Sequence, residues 1–93
     1  MNFGEAIEAL KQGKKVTRKG WNGKGMYLWL KQEVTIKKDW CKDPMLLDAF
    51  NRIGVEELVG LPTITMKTVD NKIQSGWLAS QTDMMAEDWI IID

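Results

Sequence analysis

Apolar residues recur along the first dozen positions at helical spacing: Phe3, Ala6, Ile7 and Leu10 stand at i, i+3, i+4 and i+7. Asn2 precedes them as an N-cap, Glu5 occupies the third helical position, and Gly13 supplies a stop, so the pattern predicts a short amphipathic helix over residues 3–12. The period then changes. Residues 16–19 and 26–30 read as strands separated by a Gly/Asn-rich turn over residues 20–25, which together predict a hairpin. Beyond Lys31 the periodicity weakens. Residues 46–58 carry apolar positions compatible with a helix, and residues 31–60 read as a variable insertion. From residue 63 the alternation is clear again: Ile64 and Met66 interleave with Thr63, Thr65 and Lys67, the turn Asp70-Asn71-Lys72 follows, and residues 73–78 form a partner strand. Ser80 with Asp83 three residues on predicts the start of a short helix, and residues 89–92 read as a buried strand. The expected architecture is α+β: a small antiparallel β-sheet with an N-terminal amphipathic helix and a short helix before the last strand, in one domain over residues 1–93.

A chain of 93 residues buries about 60–65% of its unfolded surface, which makes self-association an expected source of further burial. The 13 basic and 13 acidic residues cancel, an unsuitable balance for neutralising a long polyphosphate, and DNA and RNA are not expected partners. The lone cysteine, Cys41, forms no intrachain disulfide. No apolar run reaches the length of about 20 residues that spans a bilayer, and nothing reads as a secretion leader, so a cytosolic setting without membrane attachment is expected.

The absence of histidine removes the side chain best suited to proton transfer near neutral pH and the commonest metal ligand. With a single cysteine, a zinc site of ordinary Cys/His composition is excluded as well. Asp83, Glu87 and Asp88 are close enough in sequence to suggest a hard-cation cluster, but acids at a helix start are the commoner meaning of such a run. No catalytic residue, metal or cofactor is expected, and the protein reads as a binder and not an enzyme.

Two stretches carry binding chemistry. Trp21-Asn22-Gly23-Lys24-Gly25 places an aromatic ring, a bifunctional amide and a cation in a turn whose glycines admit close backbone approach. Trp77-Leu78-Ala79-Ser80-Gln81-Thr82-Asp83-Met84 runs a tryptophan-bearing strand into a helix start that welcomes an anion or a ribose hydroxyl. Each also has a purely structural meaning, hairpin punctuation in the first and capping in the second. Thr17, Arg18 and Lys19 offer charge just before the first turn. Five tryptophans in so short a chain point to rings that face something other than core, and Trp29 and Trp40 read as core or interface residues.

Taken together, Phe3-Gly4-Glu5-Ala6, the run Val16-Thr17-Arg18-Lys19-Gly20-Trp21-Asn22-Gly23-Lys24-Gly25-Met26, and Trp77 to Met84 followed by Glu87-Asp88-Trp89 resemble the small phage and prophage proteins known as Thoeris anti-defence protein two. The resemblance covers about residues 1–30 and 61–92. It implies a homotetrameric sponge in the host bacterial cytosol that sequesters a cyclic ADP-ribose isomer, the immune signal of bacterial TIR-domain enzymes, and releases it intact on denaturation. Some relatives also hold cyclic dinucleotides in separate pockets. Carried over residue by residue, it implies Trp21 and Trp77 as base or ribose platforms, Asn22, Ser80, Gln81 and Asp83 as polar contacts, and Arg18 as a phosphate partner, in pockets between subunits. The competing reading is a small phage structural or protein-interaction module without a small-molecule ligand.

Overall fold

The N-terminal helix α1, Phe3–Lys11, begins where a capping box closes: the Glu5 amide donates to Asn2 Oδ1 at 2.8 Å and the Asn2 amide to Glu5 Oε1 at 3.0 Å. Its buried face is Ala6, Ala9 and Leu10, and the two alanines let the helix axis approach the sheet beneath. The computed structural model describes residues 1–21 and 24–93.

Two compact units form, Met1–Lys31 with Thr63–Asp93, and Gln32–Pro62. The first holds strands β1 Lys15–Arg18, β2 Tyr27–Lys31, β5 Thr63–Lys67, β6 Ile73–Ser75 and β7 Trp89–Ile92, and the helix α3 Gln81–Met85. These strands make one sheet in the order β6-β5-β2-β1-β7, every pair antiparallel. Val16 pairs with Leu28 and Leu28 with Met66, so the three side chains form a row across the sheet on one face. All three are buried, and together with Ala6, Ala9, Leu10 and Trp89 they make the core. The opposite face carries Tyr27 and Trp29, whose ring centroids are 5.8 Å apart. Chain termination of α1 at Gly13, φ +84°, turns the backbone into β1.

The second unit pairs β3 Val34–Lys37 with β4 Glu57–Gly60, antiparallel, with a 3-10 turn at Lys38–Trp40 and helix α2 Pro44–Ile53 between them. Here local chemistry explains the helix well. Asp43 caps it through the amides of Met45 and Leu46, Pro44 occupies the first turn, and Gly54 ends it in the left-handed region, φ +79°. Phe50 is fully buried. The helical spacing read over residues 46–58 is therefore half right: it belongs to α2 up to Ile53, after which the chain becomes strand. Trp40 is 76% exposed and is not a core residue; Lys37 Nζ sits 4.8 Å from its ring centre.

The last strand departs from the expectation of a buried run. β7 lies at the edge of the sheet, so only Trp89 is buried while Ile91 is 43% exposed. The strand expected over residues 73–78 is shorter: β6 ends at Ser75, and Gly76, φ +76°, bends the backbone before Trp77.

Leu28 stands at the centre of the core row, and Leu28→Ala is expected to cost about 3 kcal/mol of folding stability, within the range for buried leucines. A urea titration followed by far-ultraviolet circular dichroism checks this; a loss under about 1 kcal/mol would mean that the row is not the core.

Candidate functional site

Three chain segments meet where β1 leaves the sheet. The end of β1 brings Arg18, and the turn that follows brings Gly20 and Trp21. The segment after β6 brings Trp77, and α3 with the start of β7 brings Ser80, Asp83, Asp88 and Trp89. Strand register causes the meeting: Arg18 pairs with Trp89, which places the residues preceding β7 beside the end of β1.

Trp89 is the buried centre of an aromatic cluster. Phe3 lies 5.4 Å from its ring centre, Trp21 5.3 Å in an edge-to-face arrangement and Trp77 6.3 Å, while Trp21 and Trp77 are 6.2 Å apart at 65°. Edge-to-face pairs at these separations are favoured by the ring quadrupoles. Trp89 satisfies its indole N–H by donating to the Asp83 carbonyl oxygen at 3.0 Å. Trp77 is fixed through its backbone, its amide donating to the Ile64 carbonyl at 2.8 Å. Both Trp21 and Trp77 keep part of their surface open.

The polar frame around these rings is built on two carboxylates and one guanidinium. Asp83 Oδ1 accepts from Arg18 Nη1 at 2.7 Å and from the Trp21 indole N–H at 3.0 Å. Its Oδ2 faces the Ser80 amide at 3.4 Å, and its own amide donates to Ser80 Oγ at 3.1 Å, completing a capping box at the start of α3. Asp88 Oδ1 accepts from Arg18 Nε at 2.8 Å and Oδ2 from the Gly20 amide at 2.7 Å. The side chains of Arg18 and Asp83 are each 14% exposed and that of Asp88 is 32% exposed. Two more contacts hold the hairpin: Thr17 Oγ1 donates to the Met26 carbonyl at 2.7 Å and Lys67 Nζ to that of Gly25 at 3.0 Å.

Arg18, Trp21, Trp77, Ser80, Gln81 and Asp83, the residues singled out from the sequence, thus share one corner of the first unit. Asn22 lies outside the described residues. Asp83 and Asp88 converge on Arg18, whose guanidinium holds the position that a cation would take between them. Among the described residues no cluster of three or more metal-ligating side chains forms. By sequence Asp88 stands only in an acidic run with Asp83 and Glu87, and Gly20 only in the stretch that follows β1; the Arg18 to Trp89 register, a long-range fact, joins the two. By sequence alone Trp89 is only the first residue of the last strand.

Burial alone would push the Asp83 carboxyl upward, but donation from Trp21, Arg18 and Ser80 outweighs it and the pKa falls below the ordinary value. Asp88 is held below its ordinary value first by Arg18 and then by the Gly20 amide. Arg18, donating to both, is raised further above its already high value and stays charged. Carboxylates depressed in the folded state contribute stability that is present above their unfolded pKa of about 4 and is lost as the pH falls through the lower folded values.

Stability is therefore expected to change little between pH 8 and about pH 5 and to decline below about pH 4. Asp83→Asn is expected to cost about 2–3 kcal/mol at neutral pH and to flatten part of that acid decline. Urea midpoints of both proteins across this range check the point, and a variant with an unaltered acid decline would show that the pairing with Arg18 contributes nothing.

The comparisons with known proteins agree across the whole chain. A family model described as Tad2-like, a Thoeris anti-defense 2-like domain, matches residues 1–92. A protein of Bacillus phage SP01 named Thoeris anti-defense 2 is 44% identical over 96 residues, an alignment that covers 99% of this chain and 94% of that protein. The match takes in the β1 turn and the Trp77 to Trp89 segment alike, and on this footing the chain belongs to the Thoeris anti-defense 2-like family.

Proposed function

We propose that this protein is a phage-type inhibitor of Thoeris immunity that acts as a sponge: it binds a cyclic ADP-ribose isomer, keeps it from its receptor, and leaves it chemically intact. The observation that carries this reading is the convergence of two half-open indoles, Trp21 and Trp77, 6.2 Å apart on a frame held by Arg18, Asp83 and Asp88. Whole-chain similarity to a phage protein named for anti-defence supports the biological setting.

The chemistry suits an adenine ring, ribose hydroxyls and a pyrophosphate. Trp21 and Trp77 offer aromatic faces or edges for the base. Ser80 and Gln81 lie at the exposed start of α3, where they reach ribose oxygens, and the family resemblance adds Asn22 as a further polar contact. Arg18 spends Nε and Nη1 on carboxylates and offers a phosphate its remaining donors. Asp83 takes part chiefly by orienting Trp21 and Arg18.

Magnitudes limit how this corner works. Base stacking is worth about 1–3 kcal/mol per base, whereas nanomolar retention needs about −12 kcal/mol. The difference has to come from polar contacts in a preformed site and from enclosure of most of the ligand surface. The corner is open on one chain, and in this reading a further copy closes it, giving a homo-oligomer, a tetramer in the family's pattern, with residues from two chains around one ligand. Cyclic dinucleotides are a second ligand class for such a protein. The whole assembly acts in the host bacterial cytosol without a cofactor and without catalysis.

A second reading, a phage structural or protein-interaction module, draws on Leu78 and Met85, which are 87% and 77% exposed beside the same corner. One experiment separates the two. The protein is mixed with cyclic ADP-ribose, its linkage isomers and cyclic dinucleotides, free ligand is removed by filtration, and the protein is heated. The sponge reading expects depletion of one nucleotide and its recovery unchanged by mass spectrometry. Trp77→Ala is expected to weaken retention about tenfold or more, the loss of one stacking contact. Depletion with an altered product would mean an enzyme, and no depletion would leave the interaction module.

A further inference from the structure

We propose that Asp88 is a positioning residue: with Gly20 and Arg18 it fixes Trp21 in the pose that receives the ligand, without touching the ligand itself. The inference rests on the reading of Trp21 as a ligand platform and gives Asp88, which by sequence stands only in an acidic run, a part in holding that platform.

The contacts form a closed circuit. From the Gly20 amide the path runs to Asp88 Oδ2 at 2.7 Å, and from Asp88 Oδ1 to Arg18 Nε at 2.8 Å. It continues from Arg18 Nη1 to Asp83 Oδ1 at 2.7 Å, and from that same oxygen to the Trp21 indole N–H at 3.0 Å. Gly20 and Trp21 are neighbours in the chain, so the circuit begins and ends on adjacent residues. It holds the main chain just before Trp21 at one end and the tip of its side chain at the other. The Trp21 amide adds a third restraint by donating to the Arg18 carbonyl at 3.3 Å. A ring held at both ends loses little freedom when a base settles against it, and this is the physical meaning of a preorganised site.

Gly20 shows how tightly the carboxylate is seated. A Cβ at that position would lie 2.6 Å from Asp88 Oδ2 and 3.3 Å from Arg18 Nη2, so a side chain there would push the Asp88 carboxylate from its place. Asp88 and Gly20 are thus two halves of one contact, reachable by mutation from either side. Each Asp88 oxygen accepts from a donor of this chain, and it is through these two contacts, to Arg18 and to the backbone, that the residue acts. Asparagine cannot replace it fully: an amide has one acceptor oxygen, and its NH2 would face either the Arg18 Nε–H or the Gly20 N–H, donor against donor.

Asp88→Asn and Gly20→Ala test the idea together, the second displacing the carboxylate without removing a charge. Each protein is labelled with 5-fluorotryptophan, and the Trp21 resonance is assigned by its loss in Trp21→Phe. In the ligand-free state the Trp21 signal is expected to shift and broaden in both variants, while those of Trp29 and Trp40, outside the circuit, stay in place and report an intact fold. Retention of the cyclic ADP-ribose isomers is expected to fall about tenfold, through faster release. A Trp21 signal identical to the unmodified protein in either folded variant overturns the proposal, as does a displaced Trp21 with undiminished retention. If the unmodified protein retains no nucleotide, the sponge reading fails separately, while the fluorine spectra still decide whether Asp88 holds Trp21.

Discussion

The Asp83 side chain and carbonyl are where the first unit is tied together. Its carboxylate receives Arg18 from β1 and the Trp21 indole from the following turn, its backbone closes the capping box of α3 with Ser80, and its carbonyl receives the indole of the buried Trp89. A carboxylate that is 14% exposed is costly to keep charged unless it is fully engaged, and these donors meet that cost. The consequence is geometric. A five-residue helix, too short to be stable alone, a turn and an edge strand are all indexed to one group.

That arrangement explains why Trp21 and Trp77 come to one place with their faces partly open. Trp89 takes the buried position in the aromatic cluster, and the other two indoles pack edgewise on it, each held by a different device: Trp21 through its indole N–H, Trp77 through its backbone amide on β5. Rings fixed in this way have little freedom left to lose when another group packs against them.

Much of this was legible in the residues. The capping boxes at Asn2 and at Ser80, the antiparallel pairing of β1 with β2 and the alternation from Thr63 onward each follow from local chemistry, and each is present in the fold. The candidate residues Arg18, Trp21, Trp77, Ser80 and Asp83 stand in separate stretches of the sequence, and nothing local says that Arg18 bonds Asp83 across 65 residues. The contact between Asp88 and Gly20 is hidden for the same reason, since it exists only through the pairing of β1 with β7. The edge position of β7 was also hidden: three isoleucines in a row look like a central strand, and only the strand order shows otherwise. In residues 32–62 the turn from helix to strand at Gly54 was masked by apolar spacing that serves both.

The central claim, that Trp21 and Trp77 form the face on which a cyclic ADP-ribose isomer rests, is tested most directly by following the five indole N–H resonances in a proton–nitrogen correlation spectrum as the nucleotide is added. The account predicts that the Trp21 and Trp77 signals move together and saturate with the retained ligand, while those of Trp29 and Trp40 remain still. Movement confined to Trp29 or Trp40, or retention of the nucleotide with Trp21 and Trp77 unmoved, would contradict it.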